Sequence, residues 1–254
     1  MYYILIIVLL VLLLFLYVKQ NYFQVKENLE EKPKKIPKII IQTWKNEKIP
    51  SKYLPLIDNV KKHNPDYQYI FFTDEGIDEF LKTNYLEYYK TYKELPIKIQ
   101  KIDFFRYIAV YHYGGIYLDL DMDGLKNMDE ILHHNAVFPI DEYINSFNGR
   151  FQRYKKFYNN EQYFLLGQYA FAAEPKNQFI KSLIDNIHNN IHKIIKTVNH
   201  NHEDYVYTTT GPDYVSKIYL EYEDKENIHI LDNKKRQYFG DFAQHKYFGS
   251  WKKS

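Results

Sequence analysis

The chain has 254 residues, of which 26% are charged and 45% hydrophobic, and its formal net charge is +2. The balanced charge provides no global field for binding nucleic acid, and the absence of cysteine excludes disulfides, thiolate zinc sites and a cysteine nucleophile. All charged side chains lie after residue 18, so an uncharged start precedes a part with the composition of one large folded domain.

The uncharged start is the first feature of the chain. Residues 1–18 are almost entirely apolar, and as a helix they would be about 27 Å long, close to the thickness of the hydrocarbon core of a bilayer. Tyr2, Tyr3 and Tyr17 stand near its ends, where aromatic rings lie at membrane interfaces. We therefore predict a transmembrane anchor over residues 1–18.

Two alternatives to an anchor have weaker support. A cleaved signal peptide would have a basic start and small residues before the cleavage site, and both are missing here. A buried core helix is disfavoured because this segment is apolar all round, as a membrane span is.

Residues 19–35 are charged and without periodicity, which predicts a stem between the anchor and the domain. The lysines that follow the anchor indicate, by the positive-inside rule, a cytosolic domain; they are Lys19, Lys26, Lys32, Lys34 and Lys35.

The rest of the chain, residues 36–254, alternates between strand and helix patterns. Strands are predicted over residues 36–41, 67–72 and 116–121. Helices are predicted from an Asp74 cap, from Pro96 to the Gly114-Gly115 pair, and over residues 179–195. This alternation predicts an α/β domain with a mostly parallel sheet, in which ligands bind at the carboxyl ends of the strands.

The most informative segment carries three alternating carboxylates. Side chains alternate along a strand, so Asp119, Asp121 and Asp123 are predicted to share one face. Three like charges in a row repel one another, and a divalent cation such as Mg²⁺, Mn²⁺ or Ca²⁺ would remove that cost. A solvated acidic strand end is the alternative without a ligand.

An EF-hand is a further alternative, because the spacing from Asp119 to Glu130 matches the calcium-loop pattern. The pattern requires a helix running into Asp119, but the Gly114-Gly115 pair and a strand-like segment precede it. Lys126 also places a positive charge within the loop, which disfavours Ca²⁺.

Two charged residues precede the carboxylates. Asp103 and Arg106 are three residues apart on a predicted helix and therefore lie on the same side. One interpretation is a surface ion pair that adds little to stability. The other is that both residues face the carboxylates, where the guanidinium of Arg106 would hold sugar hydroxyls or phosphate oxygens.

These motifs resemble a known family. Residues 103–107 and 111–121 resemble the sugar-binding DXD region of glycosyltransferase family 32, which includes α-1,6-mannosyltransferases and inositol-phosphoceramide mannosyltransferases. More distantly they resemble the glucosyltransferase domain of large clostridial toxins. The likeness extends to residues 36–44, 64–67 and 210–212 and to a closing His245…Gly-Ser-Trp segment, so it covers residues 36–251. Ile41 stands where the family commonly has histidine.

The resemblance implies a GT-A-type fold and a set of roles. Asp121 and His245 would bind a divalent metal, Mn²⁺ or Mg²⁺, and Asp119 would contact the donor. Asp103 and Arg106 would hold sugar hydroxyls, and Gln168 would replace an asparagine of the family. Further donor contacts would come from Gln42, Thr43, Trp44, Ser250 and Trp251.

The sequence therefore predicts a membrane-anchored retaining glycosyltransferase that transfers a hexose, with mannose favoured, to a glycan or glycolipid acceptor. The donor would be GDP-mannose or a UDP-hexose. The family analogy favours a type II topology with a luminal domain, in conflict with the lysine pattern. The alternative is a catalytically inactive GT-A protein that binds carbohydrate or stabilises a complex.

Overall fold

The structure is a computed structural model, and it describes residues 12–19, 33–145, 151–197, 202–232 and 238–249. The chain divides into two compact units, Met1–Pro33 and Lys34–Ser254. In the first unit, residues 12–19 are helical and exposed. No helix in the described ranges is long and apolar enough to cross a membrane. Most of the predicted anchor, residues 1–18, lies outside the described residues.

The second unit alternates strands with helices. Its described strands are β1 (Ile39–Thr43), β2 (Gln68–Phe72), β3 (Gly115–Leu118), β4 (Met122–Gly124), β5 (Ala136–Tyr143), β6 (Phe164–Leu166), β7 (Ala170–Ala173), β8 (Ile228–Leu231), β9 (Tyr238–Phe239) and β10 (Ala243–His245). Its described α-helices are α1 (Leu54–His63), α2 (Asp74–Asn84), α3 (Leu86–Glu94), α4 (Lys98–Tyr113), α5 (Phe151–Tyr158), α6 (Gln178–Asn189), α7 (Ile191–Lys196), α8 (His202–Thr209) and α9 (Pro212–Glu221). Short 3₁₀ turns cover Ser51–Tyr53, Asp129–Ile131 and Lys225–Asn227.

Seven of the described strands form the central sheet, in the order β2-β1-β3-β7-β5-β6, with β8 also paired to β5. β1 is parallel to β2 and β3, and β5 is parallel to β8. β7 is antiparallel to both β3 and β5, and β6 is antiparallel to β5. Five strands therefore share one direction and β6 and β7 oppose it, which confirms the predicted α/β domain with a mostly parallel sheet.

A second, three-stranded sheet joins distant parts of the chain. β10 is antiparallel to both β4 and β9, and the pairing places His245 opposite Met122. Because β4 begins just after the DXD segment, this small sheet brings the end of the described chain beside it.

Helix α4 is buried in the core and leads directly into β3. Its residues from Phe104 to Val110 are at most 2% exposed, so charged residues on this helix must find partners inside the protein. Gly114 and Gly115 end it with φ angles of 68° and 94°, which favour glycine. A Cβ at Gly115 would lie 2.6 Å from the carbonyl oxygen of Ile39, so glycine also permits the close packing of β3 against β1.

Several predicted boundaries are wrong; the first strand, for example, is Ile39–Thr43 rather than residues 36–41. The third strand ends at Leu118 rather than Asp121, because the chain turns there and Asp119 donates its backbone N–H to the carbonyl of Tyr169 at 2.7 Å. The late helix is interrupted at Asn190, and the apolar stripe continues through the break. The cap of α2 is Thr73, whose side chain accepts from the N–H of Gly76, rather than Asp74.

Candidate active site

A cleft of about 510 Å³ opens at the carboxyl ends of β1 and β3. Thr43, the last residue of β1, and Asp119, the first residue after β3, both line it. This is where an open, mostly parallel sheet binds its ligands. Most of the predicted site residues described by the structure line the same cleft; they are Thr43, Trp44, Asp103, Arg106, Asp119, Asp121, Gln168 and His245.

A tight turn, rather than strand alternation, brings the first two carboxylates together. The backbone N–H of Met122 donates to the carbonyl of Asp119 at 3.0 Å, closing a turn between β3 and β4. Asp123 lies beyond the turn and does not join the pair. Its carboxylate instead accepts from Asn59 Nδ2 at 2.8 Å and pairs with Lys246 Nζ at 3.0 Å. The predicted shared face for all three carboxylates is therefore wrong.

His245 completes the cluster. Its Nε2 lies 3.1 Å from Oδ1 of Asp121, and the other carboxylate oxygen accepts from the backbone N–H of Phe248 at 2.9 Å. Asp119, Asp121 and His245 each offer one ligand atom, and these atoms lie within 4.8 Å of one another. It is the one such group of three found among the described residues. Two carboxylates and an imidazole suit Mn²⁺ or a similar divalent cation.

The electrostatics of the cluster favour a cation. Burial alone would raise the pKa of Asp121, but the hydrogen bond from His245, the charge of His245 and the backbone N–H of Phe248 together outweigh burial and lower that pKa, so the carboxylate is ionised at neutral pH. Burial would lower the pKa of His245, but the bond to Asp121 and the charges of Asp121 and Asp119 together raise it. The imidazole stacks on Tyr169 with ring centroids 4.8 Å apart, which fixes its plane. The residues therefore fit a divalent metal that would replace the proton between them.

Asp103 and Arg106 lie beneath the carboxylates as a buried pair. Their side chains are 0% and 3% exposed, and Nη2 of Arg106 lies 3.1 Å from Oδ1 of Asp103. Thr210 donates to the other oxygen of Asp103 at 2.8 Å. Burial raises the pKa of Asp103 to about 6 against the opposing charge of Arg106. The surface ion pair considered from sequence is thus excluded.

Arg106 links four parts of the site. Its Nη1 lies 3.2 Å from Oδ1 of Asp119 and donates to Oε1 of Gln168 at 2.7 Å. Gln168 in turn donates from Nε2 to Asp103 at 3.2 Å. The guanidinium also covers the ring of Tyr117 at 4.7 Å. Burial would lower the pKa of Arg106, but the carboxylates around it, chiefly Asp119 and also Asp103, raise that pKa, so the group stays cationic.

Among the residues predicted to contact the donor, Gln42 does not line the cleft. It is 0% exposed, donates to the backbone carbonyl of Asp119 at 3.2 Å and accepts from the hydroxyl of Tyr69 at 2.6 Å. Its amide therefore supports the DXD turn from behind. Trp44 does line the cleft and packs against Tyr53, with ring centroids 4.8 Å apart. Ser250 and Trp251 lie outside the described residues.

Sequence reasoning missed several groups at this site. The hydroxyl of Tyr117 donates to Oδ1 of Asp119 at 2.9 Å and lies 3.3 Å from Oγ1 of Thr43. Tyr117 is a core residue of β3, so its pattern alone indicates only packing. The same holds for Tyr169, which stacks on His245, and for Thr210, which donates to Asp103.

Part of the chain is similar to known proteins. Residues 50–138 match the family described as glycosyltransferase sugar-binding region containing DXD motif. The chain is 43% identical over 101 residues to inositol phosphoceramide mannosyltransferase 3 of Schizosaccharomyces pombe, a match covering 40% of this chain and 28% of that protein. It is 34% identical over 157 residues to inositol phosphoceramide mannosyltransferase 1 of the same organism, covering 60% and 43% respectively. The matches thus span less than half the length of these two curated relatives.

A solved structure is similar in fold. The PaToxG glycosyltransferase superposes with a TM-score of 0.55 at 18% sequence identity, covering 74% of this chain and 70% of that one. The family match includes Asp103, Arg106, Asp119 and Asp121. The predicted resemblance to DXD glycosyltransferases is therefore confirmed, and the chain contains a DXD sugar-binding region in a fold similar to that of a glycosyltransferase.

Proposed function

We propose that this protein is a metal-dependent, retaining glycosyltransferase that transfers mannose from a nucleotide sugar to a glycolipid or glycan acceptor. The observation that carries the proposal is the group of Asp119, Asp121 and His245, whose ligand atoms lie within 4.8 Å of one another in a cleft. The names of the two yeast relatives favour mannose, and hence GDP-mannose over a UDP-hexose as the donor.

In this proposal Asp121 and His245 hold the cation, Mn²⁺ or Mg²⁺. When bound, such a cation stabilises the negative charge that develops on the diphosphate as the nucleotide leaves. Asp121 is suited to this role because it is ionised and both of its oxygens are oriented, one toward His245 and the other by the N–H of Phe248. The stack on Tyr169 fixes the plane of the imidazole, and in that plane Nε2 lies next to the carboxylate of Asp121.

The donor sugar is bound by the buried network around Arg106. Asp103 and Gln168 fix the guanidinium from two sides, so the cleft presents a preorganised positive charge beside Asp119. Asp119, whose side chain is 27% exposed, has much more surface left for ligand hydroxyls than Asp103 or Arg106. Preorganised charges of this kind cost no reorganisation during the reaction.

The nucleoside end of the donor is assigned to the rim formed by Thr43 and Trp44. The ring of Trp44 is held by Tyr53 and offers a flat apolar surface on which a base can stack. Ser250 and Trp251 complete the proposed donor contacts and would close over the diphosphate.

The proposed setting is a membrane surface. Residues 1–18 form the proposed transmembrane anchor, residues 19–35 the stem and residues 36–254 the catalytic domain. A type II topology with a luminal domain is proposed in spite of the five lysines that follow the anchor. Protease protection on sealed membranes tests the topology, because a luminal domain survives protease until detergent is added.

Donor hydrolysis tests the function itself. The full chain, purified in detergent, is incubated with GDP-mannose, UDP-glucose, UDP-galactose and UDP-GlcNAc, with Mn²⁺ or with EDTA. We expect turnover of GDP-mannose that requires the metal and that Asp121→Asn abolishes. Asp123→Asn is the matched control, because Asp123 lies outside the cluster, and it should retain most of the activity. Failure of every donor under Mn²⁺ would overturn the proposal.

A further inference from the structure

One residue that lines the cleft has an unfavourable backbone conformation. Tyr247 has a φ of 55°, in the left-handed region that bulky side chains rarely adopt. Glu161 and Lys176 are the other described non-glycine residues with positive φ, and neither of them lines the cleft. Strain of this kind persists only where the surrounding structure maintains it, so neighbouring contacts must hold Tyr247 in this conformation.

The two residues that flank Tyr247 both donate to Asp121. The backbone N–H of Lys246 donates to the backbone carbonyl of Asp121, and the N–H of Phe248 donates to Oδ2 of its carboxylate, each at 2.9 Å. We call residues 246–248 the clasp, because they bond to one aspartate through both its main chain and its side chain. A left-handed residue in a turn directs neighbouring N–H groups toward one side, as in the backbone nests that bind anions.

The ring of Phe248 anchors the clasp to the protein. It packs on Tyr53 with ring centroids 5.2 Å apart, and Nζ of Lys52 lies 4.3 Å from its centroid. Tyr53 is only 2% exposed, so the ring rests on a residue that is fixed in the interior. The same apolar cluster includes Leu120, the residue before Asp121. The anchor therefore keeps the N–H of Phe248 in register with the carboxylate that it bonds.

We propose that the clasp positions Asp121 for the metal, and that the left-handed backbone of Tyr247 and the ring of Phe248 are what keep it in place. This inference rests on the metal-dependent function proposed above. The clasp acts through Asp121, so Tyr247 and Phe248 are positioning residues. A carboxylate with one oxygen fixed by an N–H presents its other oxygen in a defined direction, and loss of such supporting bonds typically weakens metal binding by about 10- to 100-fold.

The ring of Tyr247 offers a different reason for keeping this residue. It meets the imidazole of His245 edge-on, with ring centroids 5.5 Å apart. If that contact were the purpose of Tyr247, every substitution that removes the ring would have the same effect on metal binding. If the backbone is the purpose, the effect depends on how well the new residue adopts a positive φ.

Two substitutions at Tyr247 separate its backbone from its ring. Tyr247→Asn and Tyr247→Val both remove the ring, but asparagine tolerates the left-handed region and β-branched valine does not. The full chain in detergent is titrated with Mn²⁺, and the free ion is measured by electron paramagnetic resonance. We expect the Kd for Mn²⁺ in Tyr247→Val to be about tenfold or more above that in Tyr247→Asn. Equal Kd values in the two folded variants overturn the inference.

Tyr163 provides the matched control. It is 48% exposed against 51% for Tyr247, it lies outside the cleft, and its φ is not positive. Tyr163→Asn and Tyr163→Val should both bind Mn²⁺ with the affinity of the unaltered protein. A difference between these two variants as large as that at Tyr247 would show a general effect of valine, and would overturn the inference.

A second pair of variants tests the anchor. Phe248→Ala removes the ring that rests on Tyr53 but keeps the backbone N–H, so we expect the Kd for Mn²⁺ to rise by about threefold or more. Phe248→Leu keeps an apolar side chain and should recover most of the affinity. If Tyr247→Val does not fold, this pair decides the matter, and an unaltered Mn²⁺ affinity in Phe248→Ala overturns the inference.

Donor turnover separates this inference from the proposed function. Turnover that requires Mn²⁺, together with equal Mn²⁺ affinities in Tyr247→Asn and Tyr247→Val, overturns only the clasp. The expected difference in affinity without turnover of any donor supports the clasp and overturns the transferase. Absence of Mn²⁺ binding by the unaltered protein overturns the metal-dependent function and the clasp with it.

Discussion

Nε2 of His245 lies 3.1 Å from Oδ1 of Asp121, although 124 residues separate the two along the chain. The antiparallel pairing of β10 with β4 creates this contact, since it places His245 opposite Met122, the residue next to Asp121. The contact joins a carboxylate from the middle of the domain to an imidazole from its end. A divalent cation bound there would link the DXD turn to the closing segment.

Removal of the imidazole should weaken metal binding. His245→Ala removes one of the two side chains proposed to hold the cation, so we expect the Kd for Mn²⁺ to rise by roughly tenfold or more, on the scale seen for disturbed metal sites. Isothermal titration of the full chain with Mn²⁺ measures the change. His192→Ala is the matched control, because His192 is exposed on α7 and lies outside the cluster. An equal Mn²⁺ affinity in His245→Ala and the unaltered protein would remove His245 from the metal site.

Loss of the Gln168 amide should damage both stability and turnover. Gln168→Ala leaves Nη1 of Arg106 and Oδ1 of Asp103 each without one partner in a buried setting. We expect a loss of about 1–3 kcal/mol in the free energy of unfolding and a lower kcat. Chemical denaturation and GDP-mannose turnover report the two effects. Gln178→Ala, at an exposed position, should change neither, and full kcat in Gln168→Ala would exclude its role in the network.

The hydroxyl of Tyr117 is predicted to orient Asp119. Tyr117→Phe keeps the ring that lies under Arg106 but removes the donor to Oδ1 of Asp119. The expected cost is about 1 kcal/mol of stability and, if Asp119 loses its orientation, a roughly tenfold lower kcat/KM for the donor. Tyr113→Phe serves as the control. A Tyr117→Phe variant with unaltered donor kinetics would show that Arg106 alone positions Asp119.

The close approach of β3 to β1 should make Gly115 intolerant of substitution. In Gly115→Ala the new Cβ would lie 2.6 Å from the carbonyl oxygen of Ile39 at a φ of 94°, so we expect a loss of about 2–4 kcal/mol in stability. Gly76→Ala is the contrast, because its nearest contact is an ordinary 3.5 Å. Thermal unfolding compares the two variants. Similar melting temperatures for both would contradict the packing described for β3.

Local patterns accounted for the sheet direction, for the Gly114-Gly115 end of α4 and for the pairing of Asp103 with Arg106. These features depend on residues close in sequence, whose spacing determines which side of a helix or strand they share. The burial of the pair was less evident, because opposite charges three residues apart on a helix usually form a solvent-exposed pair.

The contacts between distant segments could not be derived in this way. The DXD turn depends on a bond from Asp119 to Tyr169, and the metal cluster depends on the pairing of β10 with β4. Nothing in the sequence of these segments indicates which other segment each one contacts. Only the family resemblance suggested His245. The Arg153–Asp213 pair, 60 residues apart, left no signal in the sequence at all.

The most direct test of the central proposal is the dependence of GDP release from GDP-mannose on Mn²⁺, measured with the full chain and with Asp121→Asn. The proposal predicts release that rises to saturation with Mn²⁺, disappears with EDTA and is absent in Asp121→Asn at every metal concentration. Release that persists in EDTA, or that Asp121→Asn carries out at the rate of the unaltered protein, would contradict it.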